Sequence, residues 1–407
     1  MKKIAIVVQR CHESVVGGSE YGAWQYANLL KNDYKVDILT TTAIDEQTWA
    51  NVLCEGSEIK NEICIRRFNV TQGRTIYWHK LNERLLKKFN PNGLDESGYD
   101  NLSALNKKTE IWWTTALQEE YIRHQGPYCS GLIKFFAEEG KNYKVILFFT
   151  YLYSTTYFGM FNVPSENTIL LPTLHNELTA YLPVYKYMAR KAKKIIWLTE
   201  AEQRNGMSVW GELPGRVVGL GVETKKFNPK KFDFPYLLYC GRINIGKGCK
   251  QLIEYFKRYK EDNPSNLHLI LIGKSDDMEL PVSDDIVYRG HVAEDEKFKL
   301  MSGAVCFVMP SRYESLSITT LEAMAQQTPV VANGLCSVLL DHIKRSGGGM
   351  LYRDYSSFAD AVNEMLKNEQ KRVKMGKNGR TYVVSSYGFN KIRQILKEEI
   401  EKIVNKE

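Results

Sequence analysis

The chain has 407 residues, of which 25% are charged and 43% hydrophobic, and its 55 basic and 47 acidic side chains leave a net charge of +8. That length exceeds one ordinary core and points to two domains, while the composition is that of a soluble globular chain rather than a disordered one. Apolar runs stay short of the roughly 18 residues a membrane-spanning helix needs, and the positive balance favours anionic ligands or an anionic membrane surface without selecting either.

The opening MKKIAIVVQR carries two lysines before an apolar run of five residues. Such a run is too short for a secretory signal and reads as a first buried strand. IAIVV, the turn VVGGSE, the helix YGAWQYANLLK and the strand KVDILT then form a βαβ opening. Residues 76–90 have a helical pattern, whereas 91–110, rich in turn formers, read as an excursion with a short helix. A helical stretch at 112–125 leads through GLIKFFAEEG to the strand KVILFFT. The aromatic run FFTYLYSTTYFGMF (148–161) reads first as core packing, with stacking on sugars as the alternative. TILLPTLHNE is a strand entering a loop, VYKYMARKAKK a basic helix and IIWLT a further strand. The alternation implies a parallel sheet with helices on both faces.

A second alternation starts near 217, with strands RVVGLG, YLLYCG, LHLILIG, DIVYRG, AVCFVM and TPVVAN and helices at 248–260, 294–302 and 317–326. In the last segment Ile392, Ile395, Leu396, Ile400 and Ile403 share one helical face, which needs an apolar surface to cover. The expected organisation is a Rossmann-like domain over 1–215, a second over 216–380, and a helix over 381–407 that returns to the first. In open parallel sheets ligands bind outside the carboxyl ends of the strands, where both the Gly17-Gly18 turn and the Glu314 loop fall. The eight cysteines form no CxxC pair or zinc spacing. Cys11, Cys240 and Cys306 read as small buried hydrophobes of a cytosolic chain with free thiols.

Two stretches can carry chemistry. In CGRINIGKG (240–248) a strand delivers Arg242 to a loop, and Gly246-Lys247-Gly248 opens a helix. Two cations beside a helix start suit a diphosphate, although the Walker pattern is absent; the alternative is an ordinary turn with surface cations. In ESLSITTLE (314–322) two glutamates lie eight residues apart. A helix starting near Ser315 to Ser317 places Glu314 at its mouth and Glu322 further along. Carboxylates accept from the paired hydroxyls of sugars and riboses, so one can hold a hexose and the other a ribose; a capping glutamate plus a solvated one is the alternative. A dinucleotide oxidoreductase is disfavoured because VVGGSE lacks G-x-G-x-x-G and the acidic residue expected about twenty positions on. The net charge is not accompanied by any nucleic-acid-binding module.

PSRYESLSITTLEAMAQQTPVVAN resembles the E-x7-E signature of retaining GT-B glycosyltransferases of family 4. GRINIGKGCKQLI is similar to that family's G-R-x-x-x-x-K-G stretch, VVGGSE to its N-terminal glycine loop and VVGLGVETKKF to its interdomain segment. The resemblance implies an α/β GT-B fold, two Rossmann-like domains facing across a cleft. It also implies retaining transfer of a hexose from a UDP- or GDP-sugar, without cofactor or metal, to a saccharide, glycolipid or protein acceptor in surface glycan synthesis. Arg242 and Lys247 would hold the diphosphate, and Glu314 the sugar. Ser315, Leu316 and Ser317 would offer backbone amides, and Glu322 would take the ribose. Gly17 and Gly18 would let the N-terminal loop approach phosphate and acceptor, and His175 would face the donor sugar. Where the family often has Glu-Gly-Phe-Gly this chain has Glu314-Ser315-Leu316-Ser317, a substitution that fits if φ stays negative. Adjacent pairs Asp276-Asp277 and Asp284-Asp285 do not form a spaced D-x-D triplet. Cytoplasmic placement is implied, with KYMARKAKK (186–194) either touching anionic lipid at the inner membrane face or forming a solvated helix face. A catalytically silent sugar-nucleotide-binding subunit stays open as the alternative function.

Overall fold

The computed structural model describes residues 1–15, 17–89, 113–275 and 278–405. The excursion expected at 91–110 and the Asp276-Asp277 pair lie outside the described residues, as does Val16 of the glycine turn. The chain divides into two compact units, one comprising Met1–Gly93, Leu102–Leu220 and Ile392–Glu407, the other centred on Gly221–Lys391.

Among the described residues the first unit has an eight-stranded sheet built from β1 (Lys3–Val7), β2 (Lys35–Thr41), β3 (Gly56–Lys60), β4 (Ile63–Phe68), β5 (Val145–Phe149), β6 (Thr168–Leu171), β7 (Lys194–Trp197) and β8 (Gly215–Val217). Its order is β3-β4-β2-β1-β5-β6-β7-β8. All neighbours pair in parallel except β3 and β4, which form a hairpin whose Asn61 and Glu62 have φ of 50° and 66°. Positive φ at both turn residues matches the twist of a tight hairpin. Continuous apolar runs such as VILFF are buried throughout, as a sheet covered on both faces requires.

The second unit has β9 (Tyr236–Cys240), β10 (His268–Ile272), β11 (Ile286–Tyr288), β12 (Cys306–Met309), β13 (Val330–Asn333) and β14 (Gly349–Tyr352), in the order β11-β10-β9-β12-β13-β14. Every pair is parallel. Strand order reverses between β9 and β12, so the loops leaving these two strands emerge side by side, where open α/β sheets bind ligands.

Two expectations are corrected. RVVGLG does not start the second sheet: Gly215–Val217 pairs with β7 and closes the first. An apolar run looks the same whichever sheet it joins; here Pro214 O accepts from Ile195 N at 2.8 Å and sets the register. The basic helix ends at Lys191, and Lys194 already begins β7. Lys191 is spent on Val163 O and Ser165 Oγ, and Lys194 pairs with Glu399. The aromatic run is largely core, with Phe148, Phe149, Tyr151 and Tyr157 buried. All eight cysteines are free, and Cys11, Cys240 and Cys306 are buried.

From Ile392 onward the final helix, Phe389–Val404, belongs to the first unit. Ile392, Leu396, Ile400 and Ile403 are buried along it, but the stripe also contains Glu399, 1% exposed. Lys194, Lys402 at 2.5 Å and Arg216 at 3.0 Å converge on that carboxylate. Burial alone would raise its pKa, yet hydrogen bonds from Lys194, Lys402 and Arg216 prevail and hold it at about 2. A depressed carboxyl pKa stabilises the fold above the unfolded value and loses that contribution as pH falls through the folded one. Glu399→Gln should therefore lower the urea midpoint at pH 5, and the gap from wild type should narrow as pH falls toward about 2. A gap independent of pH would show that the ionised cluster does not hold the helix.

Candidate functional site

The site in the second unit is built from the exits of β9 and β12. Past β9 the backbone turns at Gly241, φ 154°, which lies against Gly273 at the end of β10. A Cβ on Gly273 would sit 1.9 Å from Gly241 O, so the approach requires glycine. Tyr239 Oη donates to Arg242 O at 2.6 Å and fixes the following turn, on which Arg242 is exposed. Asn244 Oδ1 accepts from Lys247 N at 2.8 Å, capping a short 3-10 turn, Ile245–Lys247. Gly248, φ 76°, then enters the helix Cys249–Asp262.

Past β12, Asn333 Nδ2 donates to Pro310 O at 2.9 Å, and the chain reaches Glu314 and the helix Ile318–Ala325. Lys247 Nζ donates to Glu314 Oε1 at 2.7 Å. The two loops are thus joined across the reversal by a lysine and a carboxylate 25% and 11% exposed. Ser315 is half-buried, and Leu316 and Ser317 are buried.

Ser317 departs from expectation. It caps the helix with φ 60° and ψ 62°, in the left-handed region, and its side chain makes no capping bond. Its Oγ lies 2.9 Å from Thr320 Oγ1 instead. A non-glycine residue there costs roughly 1–2 kcal/mol, so the glycine of the more usual family pattern answers a backbone requirement that this chain meets under strain. Beneath the loop, His342 Nε2 lies 2.8 Å from Leu316 O. A carbonyl only accepts, so Nε2 carries the hydrogen; Nδ1, 3.0 Å from Tyr382 Oη, accepts from the phenol. Burial lowers the imidazole pKa to about 4, which keeps it neutral near pH 7.

Glu322 is 5% exposed and does not share Lys247. Its Oε1 accepts from Lys297 Nζ at 2.9 Å, whereas its Oε2 is buried without a hydrogen-bond partner. Burial raises the Glu322 pKa and Lys297 opposes the rise. Burial lowers that of Lys297, but the Glu322 and Glu294 carboxylates more than offset it, so the ammonium stays charged.

Gly17, Gly18 and His175 belong to the first unit. Gly17 is the tight position, where a Cβ would meet Glu20 Oε2 at 2.2 Å, whereas nothing lies within 4 Å of a Cβ on Gly18. His175 follows β6; its Nδ1 is 3.9 Å from Glu177 Oε1 and its side chain is 33% exposed. The turn is pinned by buried Glu202, which accepts from Leu174 N at 2.6 Å and from Leu198 N at 2.5 Å. Burial pushes that carboxyl up to about 8 despite these amides. Four of these supporting residues, Asn244, Lys297, His342 and Glu202, are absent from the residues expected at the site. The signal for His342 is its place on the buried stripe of Ser337–Ser346, with Val338, Leu339 and Ile343.

Residues 222–382 match the family model described as Glycosyl transferases group 1. Over 177 residues the chain is 26% identical to the capsular polysaccharide biosynthesis glycosyltransferase CapM of Staphylococcus aureus, an alignment covering 41% of this chain and 45% of that protein. The chain thus spans about half the length of the curated relatives it matches. Sucrose-phosphate synthase from Thermosynechococcus elongatus superposes with a TM-score of 0.70 at 18% identity, each chain covered in full. Anabaena HepE, solved with UDP and glucose, gives 0.67 at 12% identity over 99% of this chain and 100% of that one. The fold is that of the GT-B glycosyltransferases, two Rossmann-like sheet domains.

Ser317→Gly should raise stability by about 0.5–1 kcal/mol, the relief of left-handed strain less glycine's added freedom in the unfolded chain. Urea unfolding measures it. A destabilised variant would mean that the Ser317–Thr320 contact outweighs the strain.

Proposed function

We propose that the chain is a retaining, metal-independent glycosyltransferase of the family 4 type, moving a hexose from a UDP- or GDP-sugar to a saccharide or glycolipid acceptor in surface glycan synthesis. The observation that carries this reading is the Lys247–Glu314 pair across the strand-order reversal. A diphosphate offers Lys247 a stronger partner than one carboxylate does, and a hexose offers Glu314 hydroxyls in exchange. Donor binding then separates the pair, placing Lys247 and Arg242 on the diphosphate. The amides of Ser315, Leu316 and Ser317 face the sugar and phosphates, and Glu314 orients the sugar. Glu322 takes the ribose through Oε2, the oxygen that Lys297 leaves unused.

The reaction follows on one face of the sugar. The bond from the anomeric carbon to the phosphate oxygen breaks, its electron pair staying with the phosphate. The acceptor oxygen bonds to the same face of that carbon, and its proton passes to the leaving phosphate oxygen. Fixed cations and helix amides stabilise the departing charge. Gly17, Gly18 and His175 remain the first unit's assigned contributors to sugar and acceptor. No helix among the described residues is long and apolar enough to cross a membrane. Exposed Tyr187 and Arg190 on the Pro183–Lys191 helix support peripheral contact with anionic lipid at the cytoplasmic face.

Glu314→Gln should reduce turnover while leaving free nucleotide affinity intact, because the change also releases Lys247. Glu322→Gln should weaken both donor and free nucleotide, raising KM. Alanine at Arg242 or Lys247 should cost about 1.5–3 kcal/mol of nucleotide affinity each. Calorimetry beside steady-state kinetics separates these effects. Reversed roles for the glutamates, or unchanged affinity in the Arg242/Lys247 double variant, would sink the assignment. Nucleotide binding without acceptor-dependent product in wild type would favour the silent-subunit alternative. Transfer should also survive exhaustive treatment with EDTA; loss restored by manganese or magnesium would contradict the pyrophosphate reading.

A further inference from the structure

Glu322 has a neighbour that the donor-site assignment does not use. Lys297 lies on the helix Glu294–Gly303, is 15% exposed, and bridges Glu322 Oε1 and Glu294, each at 2.9 Å. Its ammonium is 4.5 Å from the Phe298 ring centroid, and that ring stacks on Phe227 at 4.9 Å. The lysine is therefore walled by aromatic surface on one side and held by two carboxylates, a geometry that restricts where its charge can go.

We infer that Lys297 is a positioning residue that occupies Oε1 of Glu322 and sets its charge against protonation of that carboxylate, so that Oε2 is the oxygen presented to the donor's ribose hydroxyls. This rests on the donor-site reading and names the residue that makes its ribose contact work. Among the described residues two charged groups act on the Glu322 carboxyl besides its own burial. Lys297 stabilises the charge and Glu294 opposes it. Cys240, at the end of β9, is a buried thiol pushed up to about 12 by burial first and by Glu322 next, so it stays neutral. On the Glu369–Tyr387 helix, which packs against Ile318–Ala325, Arg380 is committed to the carbonyls of Ala325 and Thr224. Lys297 is thus the cation that opposes protonation of Glu322. Without it, burial and Glu294 act in the same direction and favour the neutral acid, a weaker acceptor for ribose hydroxyls.

The test is calorimetric titration of UDP-glucose and GDP-mannose, whose diphosphate diesters do not titrate between about pH 6 and pH 9, into the full chain and its variants. Wild type should bind one of them with affinity flat across that range. Lys297→Met should weaken binding roughly 10- to 100-fold near neutrality, with the loss recovering as pH rises. Lys297→Arg should restore the flat profile, and if Lys297→Met does not accumulate as folded protein, Lys297→Gln carries the same comparison. The 2′,3′-dideoxy form of the bound donor supplies the readout that a purely structural lysine would not move. Removing the ribose hydroxyls and removing the Lys297 charge should cost little more together than either alone. A Lys297→Met profile identical to wild type, or a loss that is independent of pH and additive with the dideoxy change, overturns the inference while leaving the donor site intact. Failure of wild type to bind either donor overturns the donor-site reading and this inference with it.

Discussion

Lys247 and Glu314 lie 67 residues apart and meet at 2.7 Å because β9 and β12 are neighbours at the point where the strand order reverses. In a parallel sheet every strand ends on the same edge, and only at the reversal do two consecutive crossovers lead away in opposite directions, leaving their loops uncovered side by side. The chain fills that position with glycines that permit close approach at the β9 exit and a short helix at the β12 exit. The ion pair holds the two loops together at moderate cost, since neither partner is fully desolvated and partly exposed pairs contribute little. A pair that is weak and well placed can be exchanged for a ligand that offers each partner something better.

Three buried glutamates show how the surrounding donors decide what a buried carboxylate becomes. Glu399 has three cations and titrates at about 2. Glu202 has three backbone amides, which do not outweigh burial, and rises to about 8. Glu322 has one lysine and remains raised by burial. Desolvation of a lone carboxylate costs several kcal/mol, so the number and charge of its partners set the outcome. Glu399 serves the fold by fastening the final helix, and Glu202 ties the turns after β6 and β7 beside His175. Glu322 is the one whose second oxygen lacks a protein partner, which fits a group reserved for a ligand.

Much of this was legible in the sequence. Apolar runs ending in glycine or polar turns located most strands, and the Gly241–Gly248 turn and the Glu314–Glu322 stretch picked out two segments that the fold brings together at the strand-order reversal. What the pattern does not encode is which sheet a short strand joins, and so the run beginning at Arg216 reads as a strand of the second alternation, whereas Arg216 and Val217 pair with β7. The hairpin of β3 and β4 and the strand Gly349–Tyr352 escaped for a related reason: β3 is exposed along its length, and four-residue β14 lacks alternation. Lys297 and His342 were hidden because their importance lies in long-range contacts, with Glu322 and with the Leu316 carbonyl, that local spacing does not reveal. Ser317 is instructive in another way. Its sequence position invited a capping hydroxyl, but the backbone there is left-handed, and only the dihedral angle shows what the missing glycine would have supplied.

The central claim is that the loops leaving β9 and β12 form one donor site in which a diphosphate displaces Glu314 from Lys247. A crystal structure of the chain with UDP-glucose or GDP-mannose, whichever binds, tests it most directly. The account predicts the diphosphate against Lys247, Arg242 and the amides before Ile318, with Lys247 Nζ moved away from Glu314 and the ribose at Glu322 Oε2. A donor bound elsewhere, or bound there with the Lys247–Glu314 pair still closed, would contradict it.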